Sequence, residues 1–240
     1  MSKKTKAQEL QEQLTWSAPH IGKDAPDHKE KAFKYCEGYK QFLNAGKTER
    51  ECVKEAVHML KKAGYKPFDR TASYEPGDKV YYVNRRKAII ATTFGKKPLS
   101  EGLHINGAHI DSPRLDLKPN PLYEEGGFAY FKTHYYGGIK KYQWTTIPLS
   151  IHGVVVKANG EKIYVNVGDD GKDPVFTITD LLPHLAQEQM EKKLKEGISG
   201  EDLNLLIGSI PYNAETTERV KLNILNISVS YTHLTLPTIA

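Results

Sequence analysis

The chain has 240 residues, 39% of them hydrophobic, which suffices for one large domain or two smaller ones with cores of their own. No apolar run approaches the ~20 residues of a bilayer crossing, and the start, Met1-Ser-Lys-Lys-Thr-Lys-Ala-Gln-Glu9, lacks the apolar core of a secretory signal, so a cytoplasmic protein without a membrane partner is expected. The 34 basic and 29 acidic residues, formally +5, are spread along the chain without a basic stripe, which argues against nucleic acid as a partner.

Residues 1–15 are expected to be a disordered, solvated end. From Asp27 to about Asn44 the apolar positions Phe33, Cys36, Tyr39 and Leu43 recur every three or four residues, which predicts an amphipathic helix, with Asp27 and Glu30 placed as cap and answering carboxylate. A second helix is predicted from Thr48, where Thr-x-x-Glu51 forms a capping box, to Gly64, with Val53, Ala56, Val57 and Leu60 on one face. Cys36 and Cys52, the only cysteines, fall on different helices and form neither a disulfide framework nor a metal-binding pair. The period then changes: Lys79–Asn84, Ala88–Phe94 and Leu103–Ile110 read as consecutive strands of one sheet. Helices followed by strands predict an α/β layer over 16–118.

Beyond Pro119 the chain is rich in Tyr, Gly and β-branched residues, and an all-β segment is expected. Phe128–Tyr135, Thr146–Lys157, Lys162–Val167 and Val175–Ile178 are its strands, with Asn159-Gly160 as a hairpin turn. A helix from Pro183, with Leu185, Met190 and Leu194 inward, and another over about Thr216–Asn226 complete a β-rich domain at 119–226. Residues 227–240 contain no Asp, Glu, Lys or Arg in a chain that is 26% charged, and Ser228–Ile239 resembles a translated sequencing-adapter tail; this stretch is read as foreign.

The most informative local feature is Gly107-Ala-His109-Ile-Asp111-Ser-Pro113. In a strand, His109 and Asp111 would point to the same side about 7 Å apart. Neutral imidazole is a common zinc ligand, and a neighbouring carboxylate fixes its tautomer. Spacing alone is weak evidence and favours a structural or surface role, because a metal site needs three or four ligands and only one is visible. His104, an odd number of residues from His109, reads as a packing residue; His20, His28 and His58 as surface groups; His134 and His152 as structural groups of the β-rich domain; His233 lies in the suspect tail. No Gly-rich phosphate loop precedes a helix and no Gly-x-Ser-x-Gly elbow occurs, so neither nucleotide binding nor serine hydrolysis is supported.

The longer run Ala108-His-Ile-Asp-Ser-Pro-Arg-Leu-Asp-Leu-Lys-Pro-Asn-Pro-Leu-Tyr-Glu124 closely resembles the signature of the aspartyl aminopeptidase family of zinc metallopeptidases. So do Pro76–Arg85 with Lys87-Ala-Ile-Ile, Ile147–Lys157 and Asp180-Leu-Leu-Pro-His-Leu-Ala186, in collinear order over roughly Trp16 to Asn226. The resemblance implies a zinc-exopeptidase α/β domain interrupted by an inserted β-rich dimerisation domain. It implies two zinc ions per active site, a peptide substrate with an N-terminal acidic or neutral residue, and a homodimer or higher homo-oligomer. Carried over, His109 is a metal ligand and Asp111 the catalytic carboxylate beside it. His184 matches a histidine that reaches the substrate of the neighbouring subunit; a capping or packing role is its plainer reading. The family's bridging Asp, its catalytic Glu beside a Glu ligand, a further Asp and a late His have no counterpart here, so the chain is expected to be an inactive fragment. The rival reading is a non-catalytic assembly or binding protein that uses the β-rich domain.

Overall fold

A computed structural model describes residues 4–16, 18, 26–213 and 215–232. The chain divides into two compact units, Met1–Leu103 and His104–Ala240. In the first, α1 (Lys6–Leu14) occupies the stretch expected to be disordered. It is held by its own cap: Thr5 accepts from the Gln8 amide while the Gln8 side chain accepts from the Thr5 amide. None of its residues is buried, so local satisfaction of orphan amides rather than packing forms it.

The two predicted helices are present as α2 (Pro26–Ala45) and α3 (Glu49–Lys62). Asp27 is not the cap of α2 but lies inside its first turn, where it pairs with Lys31 at 2.8 Å. The apolar stripe of α2 is largely uncovered, with Phe33 62% exposed. Helix α3 has the predicted box: Thr48 accepts from the Glu51 amide, and Glu51 accepts from the Thr48 amide at 2.9 Å. It buries Cys52 and Val53 and packs on β2 (Lys79–Asn84) and β3 (Ala88–Thr93). Burial, reinforced by the charges of Glu51 and Glu49, pushes the Cys52 thiol up, which keeps it protonated and inert. A Cβ on Gly46 would stand 2.8 Å from Cys52 Sγ, so glycine is required where this helix turn closes.

Strands β2 and β3, expected as consecutive strands of one sheet, pair antiparallel, and a two-residue β1 (Lys66–Pro67) adds parallel to β2. The third strand expected here, Leu103–Ile110, is absent. That stretch has no regular structure and is mostly exposed. An apolar pattern becomes a strand only where a neighbour takes its amides and carbonyls, and no described strand pairs with this one.

The second unit begins with that extended stretch and is mainly β. Strand β4 (Arg114–Glu125) pairs antiparallel with β5 (Phe128–Tyr136), which pairs with β8 (Leu205–Gly208). Gly126 and Gly127 both take positive φ in the two-residue turn between β4 and β5, the geometry that fixes a tight hairpin register. The sequence places the start of β structure after Pro119, but β4 begins five residues earlier and passes the prolines by a bulge: Leu117 faces Thr133 whereas Leu122 faces Phe131. Pro119 and Pro121 have no amide to give the ladder, so they sit in the extra residues.

Strands β6 (Ile151–Val156) and β7 (Lys162–Val167) form the second hairpin, with Gly160 at φ 84° in its turn. Val175–Ile178 is not a full strand; it makes single bridges, Leu149 to Phe176 and Thr177 to Leu206. The core is Ile178, Ile198, Leu203 and Leu205, with Phe131 and Trp144 packed against it. The helix expected from Pro183 shrinks to α4 (Gln187–Glu191), and Leu185, Met190 and Leu194, expected to face inward, are about two-thirds exposed. Five residues cannot bury a face when no element lies over them. The last helix, α5 (Arg219–Thr232), packs on β4, β5 and β8, and Glu124 accepts from the Lys221 amide at its start. Residues 227–232 of the stretch read as foreign continue this helix. Residues 233–240, with His233, lie outside the described residues, as does His20.

Candidate metal centre at His109

His109 and Asp111 lie in the extended segment that leads into β4, and without a strand to align them their side chains fold together. Nδ1 of His109 is 2.8 Å from the backbone oxygen of Asp111 and 3.2 Å from its Oδ1. A carbonyl oxygen only accepts, so Nδ1 carries a proton, and in the neutral form of the ring Nε2 holds the free lone pair. The imidazole is 82% exposed, which leaves that nitrogen open to a ligand.

The other carboxylate oxygen of Asp111, Oδ2, accepts a hydrogen bond from the Tyr136 hydroxyl at 2.7 Å. This bond, followed by that from the residue's own backbone amide and aided by His109, holds the Asp111 carboxyl below its ordinary range. Tyr136 is the last residue of β5 and faces Arg114, the first of β4. The Arg114 guanidinium lies 4.2 Å from the centre of the Tyr136 ring, and its Nε donates to Asp116 Oδ1 at 2.8 Å. Gly137 follows at φ 78°, where a Cβ would touch Pro113 at 3.4 Å, so the chain turns tightly beside the segment that carries Asp111. Residue spacing points to His109 and Asp111 but not to Tyr136, which becomes visible only once the hairpin register is known.

The other described histidines do not join this group. His184 is exposed in the turn before α4, and no hydrogen bond or ion pair among the described residues connects it to His109 or Asp111. His104, expected to pack, is exposed because its segment is not in a sheet; His28 and His58 are on the surface as expected. His134 stacks on Tyr135. His152 is nearly buried on β6, with Ser150 Oγ at 3.0 Å and Asp169 Oδ2 at 3.2 Å from its Nε2. Both partners meet the same nitrogen, whereas a nucleophile relay needs them on opposite nitrogens, so this cluster ties β6 to the loop after β7.

Among the described residues no three His, Cys, Asp or Glu side chains converge on one point. The donor chemistry at His109 fits one zinc ligand, an exposed imidazole with its far nitrogen held by a carboxylate and a carbonyl. It does not make a complete zinc site. No helix among the described residues is long and apolar enough to cross a membrane.

The sequence model of the aminopeptidase I zinc metalloprotease (M18) family matches residues 42–235. A probable M18 family aminopeptidase 1 of Clostridium acetobutylicum is 54% identical over 194 residues, covering 79% of this chain and 42% of the relative. The crystal structure of an M18 family aminopeptidase from Thermotoga maritima superposes with a TM-score of 0.84 at 44% identity, over 92% of this chain and 48% of that one. Aminopeptidase I from Borrelia burgdorferi B31 gives 0.75 at 38% identity, over 87% and 47%. The chain thus spans under half the length of the relatives it matches.

Proposed function

The chain belongs to the aminopeptidase I (M18) family of zinc metalloproteases, and from that premise we propose that it supplies part of a two-zinc aminopeptidase that removes N-terminal residues, acidic ones in preference to neutral, from peptides in the cytoplasm. The observation that carries this reading is the His109 imidazole, protonated at Nδ1 by its contacts to Asp111 and exposed at Nε2. When bound, the zinc pair supplies Lewis acidity to the scissile carbonyl and lowers the pKa of the attacking water. His109 donates one ligand through Nε2, and Asp111 holds that ring in the required tautomer. Asp111, like an ordinary aspartate, is ionised near neutral pH, and the downward shift of its carboxyl acts in the same direction, so it keeps its negative charge beside the ring. The other ligands and the base that deprotonates the water belong to family positions that have no counterpart in these 240 residues.

His184, exposed on its turn beside the exposed Leu181, Leu182 and Leu185, is suited to contact the substrate of a neighbouring subunit across a homodimer formed by the β-rich unit. The 240-residue chain alone is inactive on this reading, since one imidazole and one carboxylate cannot hold two metals. The test is hydrolysis of aminoacyl p-nitroanilides with N-terminal Asp, Glu, Leu and Ala by the complete enzyme and by the 240-residue chain, with zinc and with a chelator. Zinc-dependent release, highest for Asp and Glu and confined to the complete enzyme, is expected. Turnover by the 240-residue chain alone, or turnover that survives chelation, contradicts it.

A further inference from the structure

Asp111 and His109 are both exposed, 38% and 82% at the side chain, so packing does not fix their rotamers. What fixes them is a series of contacts that starts in the β-rich unit. The Gly126-Gly127 turn and the bulge at the prolines together set the register that puts Arg114 opposite Tyr136, and Asp116 anchors the guanidinium that lies over the phenol ring. The phenol hydroxyl then holds Oδ2 of Asp111 while Oδ1 faces Nδ1 of His109. Held at both oxygens, the carboxylate is restrained about its Cβ–Cγ bond, and the orientation that faces the imidazole is favoured.

We propose that Tyr136, steadied by Arg114, is a positioning residue of the metal centre, orienting Asp111 and through it the Nε2 atom that His109 presents to zinc. The proposal rests on the aminopeptidase reading of His109. It gives the β-rich unit a part in the active site of its own subunit, separate from any contact between subunits. The hydrogen bond is between surface groups and adds little to stability, so its effect is on orientation rather than on folding. Arg114 suits its place because a planar guanidinium stacks on the ring and bonds Asp116 at once, which a lysine cannot do.

The test uses the zinc-loaded aminopeptidase that carries this chain, with variants Tyr136→Phe, His109→Ala, Arg114→Lys and the double variant Tyr136→Phe/Arg114→Lys. The zinc dissociation constant is measured by chelator competition, and kcat, KM and the melting temperature are measured beside it. Tyr136→Phe should raise the zinc Kd and lower kcat by about tenfold each, the usual scale for a partner behind a metal ligand, with KM and melting temperature unchanged. Because Arg114 acts through the ring, the double variant should be no worse than Tyr136→Phe alone. Nitrogen-15 NMR of the metal-free 240-residue chain should show His109 in the Nδ1–H form, with its signals broadened in Tyr136→Phe. If His109→Ala loses zinc while Tyr136→Phe binds it like wild type, or only lowers the melting temperature, the positioning role is overturned and the ligand assignment stands. If His109→Ala keeps wild-type zinc affinity, the ligand assignment fails and the positioning role with it.

Discussion

Leu203 is 1% exposed in the cluster with Ile178, Ile198 and Leu205, beneath the strand that ends in Tyr136, and its backbone oxygen accepts from the Thr133 hydroxyl. Leu203→Ala deletes three carbon atoms whose burial contributes about 0.8 kcal/mol each. That is about 2.4 kcal/mol of transfer free energy, and the cavity left in a partly collapsed core raises the loss to about 3 kcal/mol. For a unit of this size such a loss lowers the melting temperature by about 10 °C. Urea denaturation followed by tryptophan fluorescence is the assay, because Trp144 packs against this cluster while Trp16, the only other tryptophan, is 85% exposed. Leu182→Ala, at a residue 59% exposed, serves as control and should shift stability by no more than about 0.5 kcal/mol. A Leu203→Ala loss under about 1 kcal/mol, or one equal to that of Leu182→Ala, would refute the placement of the core.

Asp111→Asn removes the charge beside His109 but leaves the ligand, so it should lower turnover more than zinc content; metal analysis beside kinetics checks this, and a variant stripped of zinc would make Asp111 a ligand instead. Burial raises the Asp169 carboxyl, but the bond from Ser150, the charge of His152 and the bond from Asn166 outweigh it, and its folded value lies below the ordinary one. Its stabilisation is therefore fully present above the unfolded value of about 4 and is lost as pH falls through the lowered folded value. Urea midpoints of Asp169→Asn should fall below wild type at pH 6 and converge with it once the pH has fallen through the lowered folded value; equal midpoints at pH 6 would remove the clasp on His152.

Where structure is decided locally, the sequence was legible. The Thr48 capping box, the neighbouring strands β2 and β3 and the Asn159-Gly160 turn each depend on residues within a few positions of one another, and each is found. Elements that depend on a distant neighbour were misread. Leu103–Ile110 has a strand's pattern without a partner, β8 is a four-residue apolar run recognised only by its pairing with β5, and β4 was hidden by prolines that a bulge absorbs. The helix from Pro183 is short for the same reason: Met190 and Leu194 have the spacing of a buried face, but among the described residues they stay exposed. At the proposed site, His109 and Asp111 are candidates the sequence itself offers, because their pattern lies in a short contiguous run. Tyr136 was not, since 25 residues and a hairpin separate it from the carboxylate it holds.

The most direct test of the account is anomalous scattering at the zinc edge from crystals of the complete, zinc-loaded enzyme. A zinc peak about 2.0–2.1 Å from Nε2 of His109, with Asp111 on the opposite side of the ring at Nδ1, is the expected result. Zinc ions bound with His109 outside their coordination, or bound through Nδ1, would contradict it.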